Sequence, residues 1–171
     1  MRKLWIAAAA VAMLITPALA VDGGPVPTGM SIRVGGFFPG DGGARDSEGD
    51  TWLGGGFDWK LPMNLFPSAP GTVGEYRISV DFFEKGSYRH IPIMVNYKGT
   101  TDRFYYLVGA GISITRIPGS PTTVNKTVFG YQFGVGIDIM PGPLPIFVEA
   151  KFLGSTRSEV NGFTVCAGVR F

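Results

Sequence analysis

The sequence predicts an all-β fold, an eight-stranded antiparallel up-and-down transmembrane β-barrel. Three observations predict it: apolar residues alternate with glycine or polar residues in many segments, glycine accounts for 26 of the 171 residues, and only 16% of the residues are charged. Alternation with a period of two is typical of strands whose two faces meet different environments. No stretch after residue 20 reaches eighteen consecutive apolar residues, so the sequence predicts no transmembrane helix.

The first twenty residues have the composition of a cleaved secretory signal peptide. Arg2-Lys3 precedes an apolar run, Leu4–Ile15, that is too short to span a bilayer as a helix. Ala18-Leu19-Ala20 then fits a small-x-small cleavage site. The sequence therefore predicts a signal peptide at 1–20 and one barrel domain at 21–171. The alternative interpretation is an uncleaved membrane anchor.

Charge and cysteine content exclude several partners and chemistries. The chain has 15 basic and 13 acidic residues, and removal of Arg2 and Lys3 with the signal peptide leaves 13 of each. A formally neutral mature chain does not favour a nucleic-acid partner. The single cysteine, Cys166, has no partner for an internal disulfide, and we interpret it as a small buried filler. The pattern contains no metal-ligand cluster and no phosphate loop, so we expect no cofactor and no metal.

Eight segments alternate with a period of two and are predicted to be the strands. In the clearest, Phe129–Ile139, aromatic and aliphatic residues alternate with Gly, Gln and Asp, and Phe163–Phe171 has the same pattern. The segments between them are rich in Gly, Pro, Asp and Ser, as turns are. The predicted strands are 28–38, 51–60, 74–83, 88–97, 103–115, 127–139, 144–154 and 161–171.

Two features conflict with regular strands. Pro92 falls inside the fourth predicted strand, where a closed barrel has no edge to accommodate a missing N–H, so we expect a bulge or a strand end there. The connection Leu61–Val73 is long for a turn and contains three prolines. This leaves open the alternative that one strand is placed wrongly.

The apolar face is predicted to lie outside the barrel and the polar face inside it. Val135 and Ala110 then face lipid, and Gln132 faces the lumen. Aromatic residues fall at both ends of the apolar face, as at the two interfaces of a membrane. An eight-stranded lumen is just wide enough to be filled by side chains, and opposite charges in equal number can pair there. The predicted lumen charges are Arg33, Asp58, Arg77, Asp81, Asp138, Glu149, Lys151 and Arg170.

The eight segments, the signal peptide and the C-terminal residues resemble the small OmpA/OmpX-type outer-membrane barrels. In that family a C-terminal aromatic residue, preceded by alternating apolar residues, is read by the barrel-assembly machinery. The residues that match this assembly signal are Phe163, Val165, Ala167, Val169 and Phe171. The resemblance implies a monomer in the outer membrane of a Gram-negative-type bacterium, in contact with outer-membrane lipids and lipopolysaccharide.

The pattern favours a structural or surface-interaction role, in which a barrel with a closed polar lumen displays Pro39–Asp50, Arg116–Lys126 and Ser155–Val160 at the cell surface. Some barrels of this family modify lipid A, which requires a nucleophile beside a general base. The one histidine, His90, has no hydroxyl residue two positions later, so we predict no enzymatic activity. The alternatives are a narrow transporter of small hydrophobic molecules, a lipid A-modifying enzyme, and a soluble exported lipid carrier with inverted faces.

Overall fold

The computed structural model describes residues 29–63, 70–118, 123–140 and 144–171, so the predicted signal peptide lies outside the described residues. Within them, eight strands follow one another around a closed antiparallel barrel, and β1 pairs with β8 to close it. The strands are β1 (Met30–Pro39), β2 (Trp52–Leu61), β3 (Val73–Lys85), β4 (Tyr88–Thr101), β5 (Phe104–Ile117), β6 (Val124–Met140), β7 (Ile146–Ser155) and β8 (Gly162–Arg170). The predicted eight-stranded up-and-down barrel is confirmed.

Several strands are longer than the alternation predicts. β4 continues to Thr101, because Lys98 and Gly99 still pair with Leu107 and Tyr106 of β5. A lysine and a glycine do not extend an apolar alternation, so the pattern ends before the hydrogen-bonded ladder does. Backbone pairing, which depends little on side-chain polarity, determines the strand end.

The expectation of a bulge or a strand end at Pro92 is wrong. On the β3 side, Val80 pairs with Ile93 and Phe83 pairs with His90, in the same register and with a gap between them opposite the proline. On the β5 side the ladder continues past Pro92 without a gap. The missing N–H therefore interrupts one ladder locally, and the second neighbouring strand holds β4 in place.

The strands on either side of the proline-containing connection lie where they were predicted, with β2 ending at Leu61 and β3 beginning at Val73. Residues 64–69 of that connection lie outside the described residues. A shift of register occurs elsewhere, between Asp138 and Met140 in the pairing of β6 with β7.

A short helix, α1 (Gly42–Glu48), lies at one end of the barrel, which we call the upper end. Asp41 caps it by accepting a hydrogen bond from the backbone N–H of Ala44 at 2.9 Å. Glu48 accepts one from the N–H of Ser87 at 3.0 Å, which ties the helix to the β3–β4 turn. Phe171 lies at the opposite, lower end. No helix among the described residues is both long and apolar enough to cross a membrane.

The two faces of the wall differ sharply in exposure. On the outer face, Val135 is 63% exposed and Ala110 is also exposed, whereas Gln132 on the inner face is 3% exposed. Large apolar side chains cover the outer face of every strand, and charged and polar side chains lie buried inside. The interior is therefore the place where the chemistry of this chain is concentrated.

Candidate functional site

The lumen brings together the eight charged residues that the sequence places there. Each lies on an inward-facing position of its strand; six are buried and two, at the lower end, are half-buried. The buried six are Arg33, Asp58, Arg77, Asp81, Glu149 and Lys151, and the half-buried two are Asp138 and Arg170.

Arg33 is the centre of this network. Its guanidinium pairs with the Asp58 carboxylate, and its Nη2 lies 2.7 Å from Oδ1 of Asp81. The other oxygen of Asp81 accepts a hydrogen bond from Nζ of Lys151 at 2.9 Å, and Lys151 lies 3.3 Å from Glu149. The network thus crosses the barrel from β2 and β3 to β7. Buried charges are tolerated only when paired and hydrogen-bonded, and this arrangement of alternating sign provides both.

The close approach of the charges depends on a small neighbour on β2. Gly56 is paired with Asp81 across β2 and β3, and a β-carbon at Gly56 would collide with the Asp81 carboxylate. Glycines on the inner face therefore provide the space that long charged side chains occupy, which explains the glycine-rich polar face in the sequence.

A second group of charges lies nearer the lower end and includes two residues that sequence reasoning missed. Arg77 binds Asp58 at 3.0 Å and Glu75 at 2.8 Å, and Lys98 lies 3.5 Å from Glu75. Glu75 lies two residues before Arg77, and Lys98 two residues after Asn96, so alternation places both on the inner face. The sequence analysis missed Lys98 because the predicted fourth strand ended at residue 97 and left Lys98 in a turn.

Aromatic rings surround a cation at the lower opening of the lumen. Arg170 pairs with Asp138, and its guanidinium carbon lies 4.8 Å from the ring centre of Tyr105 and 4.5 Å from that of Phe147. Lys98 lies over the same tyrosine ring at 4.4 Å. These cation–π contacts hold the charged heads in place where the lumen opens.

Amide and hydroxyl groups fill the middle of the lumen. Gln132 donates hydrogen bonds to Asn96 and to Ser79, and Asn96 donates to Ser79 at 2.8 Å. The cavity that these groups share with the lower charges measures about 20 Å³. This is about the space that one ordered water needs, so this cavity has no room for a larger solute.

The upper part of the lumen contains a buried apolar cluster, which the predicted closed polar lumen did not include. Phe37 packs against Trp52 and Phe83 with ring centres 5.2 and 5.3 Å apart. We call this cluster the aromatic plug; its buried residues are Phe37, Ala44, Trp52, Phe83, Tyr88 and Leu153. Phe37 lies four residues after Arg33 and Phe83 two residues after Asp81, so both are on the inner face, but the sequence analysis singled out neither.

His90 is fully buried beneath the aromatic plug. Its Nε2 lies 3.2 Å from Oγ of Ser113, and its ring meets the Phe37 ring edge-on at 5.6 Å. Nδ1 has no hydrogen-bond partner among the described residues, so no third group orients the imidazole as an activated nucleophile requires.

Cys166 is likewise buried, 3.1 Å from the Thr164 hydroxyl. No group of three or more His, Cys, Asp or Glu side chains within the described ranges is placed to hold a metal ion.

The C-terminal residues that resemble an assembly signal lie along the closing strand β8. Phe163 is 59% exposed on the outer face, Val165 and Ala167 are also exposed there, and Val169 is half-buried. Phe171 is buried at the lower end, where its N–H donates to the carbonyl of Met30 at 2.9 Å. The signalling role itself stays a prediction.

Wall, lumen and plug together define a closed, filled eight-stranded barrel with an apolar exterior. Among solved structures, the chain is similar to the outer-membrane protein Ail of Yersinia pestis in a phospholipid bilayer nanodisc, with 14% identity over 83% of this chain and 98% of that chain and a TM-score of 0.49. It is also similar to the N-terminal β-barrel domain of Pseudomonas aeruginosa OprF, with 14% identity, coverages of 85% and 97%, and a TM-score of 0.48. No family model and no curated protein matches the chain.

Proposed function

We propose that this chain is an integral outer-membrane β-barrel with a filled lumen and a structural or surface-interaction role. The observation that carries the proposal is the inversion of polarity across the wall. Val34, Leu53 and Phe104 are 63%, 75% and 64% exposed outside, while Arg33 and Lys151 are each 2% exposed inside. Water would leave an apolar surface of this extent unstable, and a bilayer would cover it.

The height of the apolar face supports a membrane-spanning wall. Along β5, outward residues from Phe104 to Ile114 are apolar or aromatic, and the next outward residue is Arg116. Ten residues at about 3.4 Å each, tilted by about 40°, rise about 26 Å. The apolar band of an outer-membrane barrel is about 25 Å tall, so one strand crosses it once.

Aromatic side chains near both edges of this band support the same proposal. Towards the lower end, Tyr97 lies between Tyr76 and Tyr106, with ring centres 5.5 and 6.2 Å away. Towards the upper end, Phe152 meets Phe163 at 5.2 Å. Amphipathic and aromatic rings are enriched where a wall passes from hydrocarbon to headgroups.

The filled lumen argues against the transporter and the soluble carrier. A carrier of lipids needs an apolar interior cavity, whereas this interior holds ion pairs and a cavity of only about 20 Å³. The aromatic plug separates that cavity from the upper end. For a lipid A-modifying enzyme, the one buried histidine faces the lumen and not the lipid side of the wall.

The proposal includes the steps that precede insertion. The signal peptide, residues 1–20, directs export and is cleaved, and the barrel-assembly machinery then reads Phe171 and the alternating residues before it. We place the lower end in the periplasm and the upper end, with α1, outside the cell, as the family resemblance implies. The monomer then presents α1 and its neighbouring connections at the surface.

Labelling of intact cells tests both location and orientation. In a Cys166→Ala background, Ser47→Cys in α1 and Arg103→Cys in the β4–β5 turn each carry one cysteine, and both positions are exposed. A membrane-impermeant maleimide should label Ser47→Cys in intact cells, and Arg103→Cys only after lysis. Recovery of the protein in the soluble periplasmic fraction, or the reverse labelling pattern, would overturn the proposal.

A further inference from the structure

Two arginines stand side by side on the outer face near the upper end. Glu84, Arg89 and Arg116 are direct cross-strand neighbours on β3, β4 and β5, since Glu84 pairs with Arg89 and Arg89 with Arg116. We call these three residues the outer basic row. Like charges directly opposite one another in a sheet repel, so the pairing of two arginines requires a compensating group.

Glu84 supplies part of that compensation. Its Oε1 accepts from Nη2 of Arg89 and from Nη2 of Arg116, each at 2.8 Å. The Gly86 carbonyl accepts a further bond from Arg116 at 3.2 Å. One carboxylate against two guanidinium groups leaves the row with a net charge of +1. Within the described residues, Nη1 of each arginine has no acceptor, so both guanidinium groups keep donors for another anion.

The position of the row decides what that anion is. Arg116 is the first outward residue beyond the apolar stretch Phe104–Ile114, so it lies at the level of lipid headgroups. The Arg89 guanidinium lies 5.8 Å from the ring centre of Phe82, the next outward residue below Glu84 on β3. The side chains of Arg89 and Arg116 are 36% and 26% exposed. The row is therefore open to the bilayer surface and backed by an apolar ring.

We propose that the outer basic row, Arg89 and Arg116 with Glu84, binds the phosphate of a phosphorylated lipid in the outer leaflet. Guanidinium groups bind phosphate through paired N–H donors, which matches two adjacent arginines better than a single point charge. The acyl chains of the same lipid would lie on the apolar wall below Phe82. This proposal rests on the proposed membrane location, and it adds a defined binding site for an outer-leaflet lipid.

Native mass spectrometry in dodecyl maltoside, a detergent without phosphate, tests the site. The probes are diphosphorylated lipid A, dephosphorylated lipid A and inorganic phosphate. Wild-type protein should bind diphosphorylated lipid A, and the Arg89→Gln/Arg116→Gln variant should bind it at least about tenfold more weakly, the factor expected for one lost hydrogen bond between charged groups. Dephosphorylated lipid A should show the same loss with wild-type protein.

Arg157→Gln is the matched control. Arg157 also lies at the upper end and also faces a carboxylate, Glu159, at 3.7 Å, with 37% of its side chain exposed. It lies in the β7–β8 connection and not on the lipid-facing strand row. Its substitution should leave lipid A binding within about twofold of wild type, because it removes a positive charge from the same end but not from the row.

Glu84→Gln should change lipid A binding in the opposite direction. It replaces the competing carboxylate by a neutral amide, whose oxygen holds the two Nη2 donors less strongly, and it raises the charge of the row from +1 to +2, so lipid A should bind more tightly than to wild type. Unchanged binding in both the double variant and Glu84→Gln would overturn the proposal, as would equal affinity for inorganic phosphate, which would identify a soluble anion as the ligand. Circular dichroism checks that each variant is folded. If the Arg89→Gln/Arg116→Gln variant inserts normally and binds lipid A like wild type, the site is refuted and the proposed membrane location still stands.

Discussion

The membrane-facing assignment of the outer wall predicts a depth profile for a single buried charge. Ala110 on β5 and Thr127 and Ile139 on β6 all face outwards and are all exposed, so each probes a different height of the wall. At about 3.4 Å per residue and a tilt of about 40°, Ala110 lies about 16 Å above Phe104 and about 10 Å below Ile114, the ends of the apolar stretch of β5. Ala110 is thus near the middle of a band about 25 Å tall. Thr127 pairs with Ile114 at its upper edge, and Ile139 lies beyond Ile137, the partner of Phe104 at its lower edge.

Arginine at these three positions should therefore have unequal effects. Ala110→Arg should lower the free energy of unfolding by about 2–4 kcal/mol, because the guanidinium must be buried in hydrocarbon or drawn towards an interface. Thr127→Arg and Ile139→Arg should each cost about 0–1 kcal/mol. A difference of about 2 kcal/mol between the middle and the edges corresponds to a factor of about 30 in the folding equilibrium.

Urea titrations of the barrel refolded in phosphatidylcholine vesicles measure this profile. The slope of free energy against urea should be the same for all three variants and wild type, since the exposed area on unfolding is unchanged. If all three substitutions stay within about 0.5 kcal/mol of wild type, the outer face meets water. The reasoning would then fail, and the soluble carrier with an exposed wall would be the better interpretation.

Two further predictions concern the interior. Asp81→Ala should lower the free energy of unfolding by about 3–5 kcal/mol in the same titration, because Arg33 and Lys151 would stay buried without their shared partner. Glu159→Ala, at the exposed ion pair with Arg157, should lower it by less than about 1 kcal/mol. Equal losses would show that the buried network contributes no more than a surface pair. Planar-bilayer recordings of the refolded barrel should show no sustained current, since the shared cavity measures about 20 Å³ beneath the aromatic plug, and stable open pores would contradict the filled lumen.

The strand number, the strand order and the two faces were all accessible from the sequence. They depend on alternation with a period of two, which Phe129–Ile139 of β6 and Phe163–Phe171 at the end of the chain display most clearly. Pro92 shows where that reasoning stops. A rule about one missing donor predicted a broken strand, but it did not include the second neighbour, β5, whose ladder continues past the proline.

The contents of the lumen were only partly predictable. Alternation along a strand shows which residues face the interior, but it does not show which residues they contact there. Lys151 and Asp81 bind each other although 70 positions separate them, and nothing local in either segment indicates that pairing. The aromatic plug was missed for a related reason: its four rings come from four different strands, so only the closed barrel assembles them into one cluster.

Unequal strand lengths explain why polar groups collect on one side of the outer face. β1, β2, β7 and β8 have 9 or 10 residues, while β3 to β6 have between 13 and 17. A tilted strand needs about 9–11 residues to cross the hydrocarbon, so in the proposed membrane location the short strands end at its edges and the long ones continue beyond them. The outward residues in that excess must be compatible with headgroups and water. Glu84, Arg89, Arg116 and Asn125 occupy those positions, each paired across the sheet with the next. Strand length thus places this row at headgroup level, and the two adjacent arginines give that level a net positive charge.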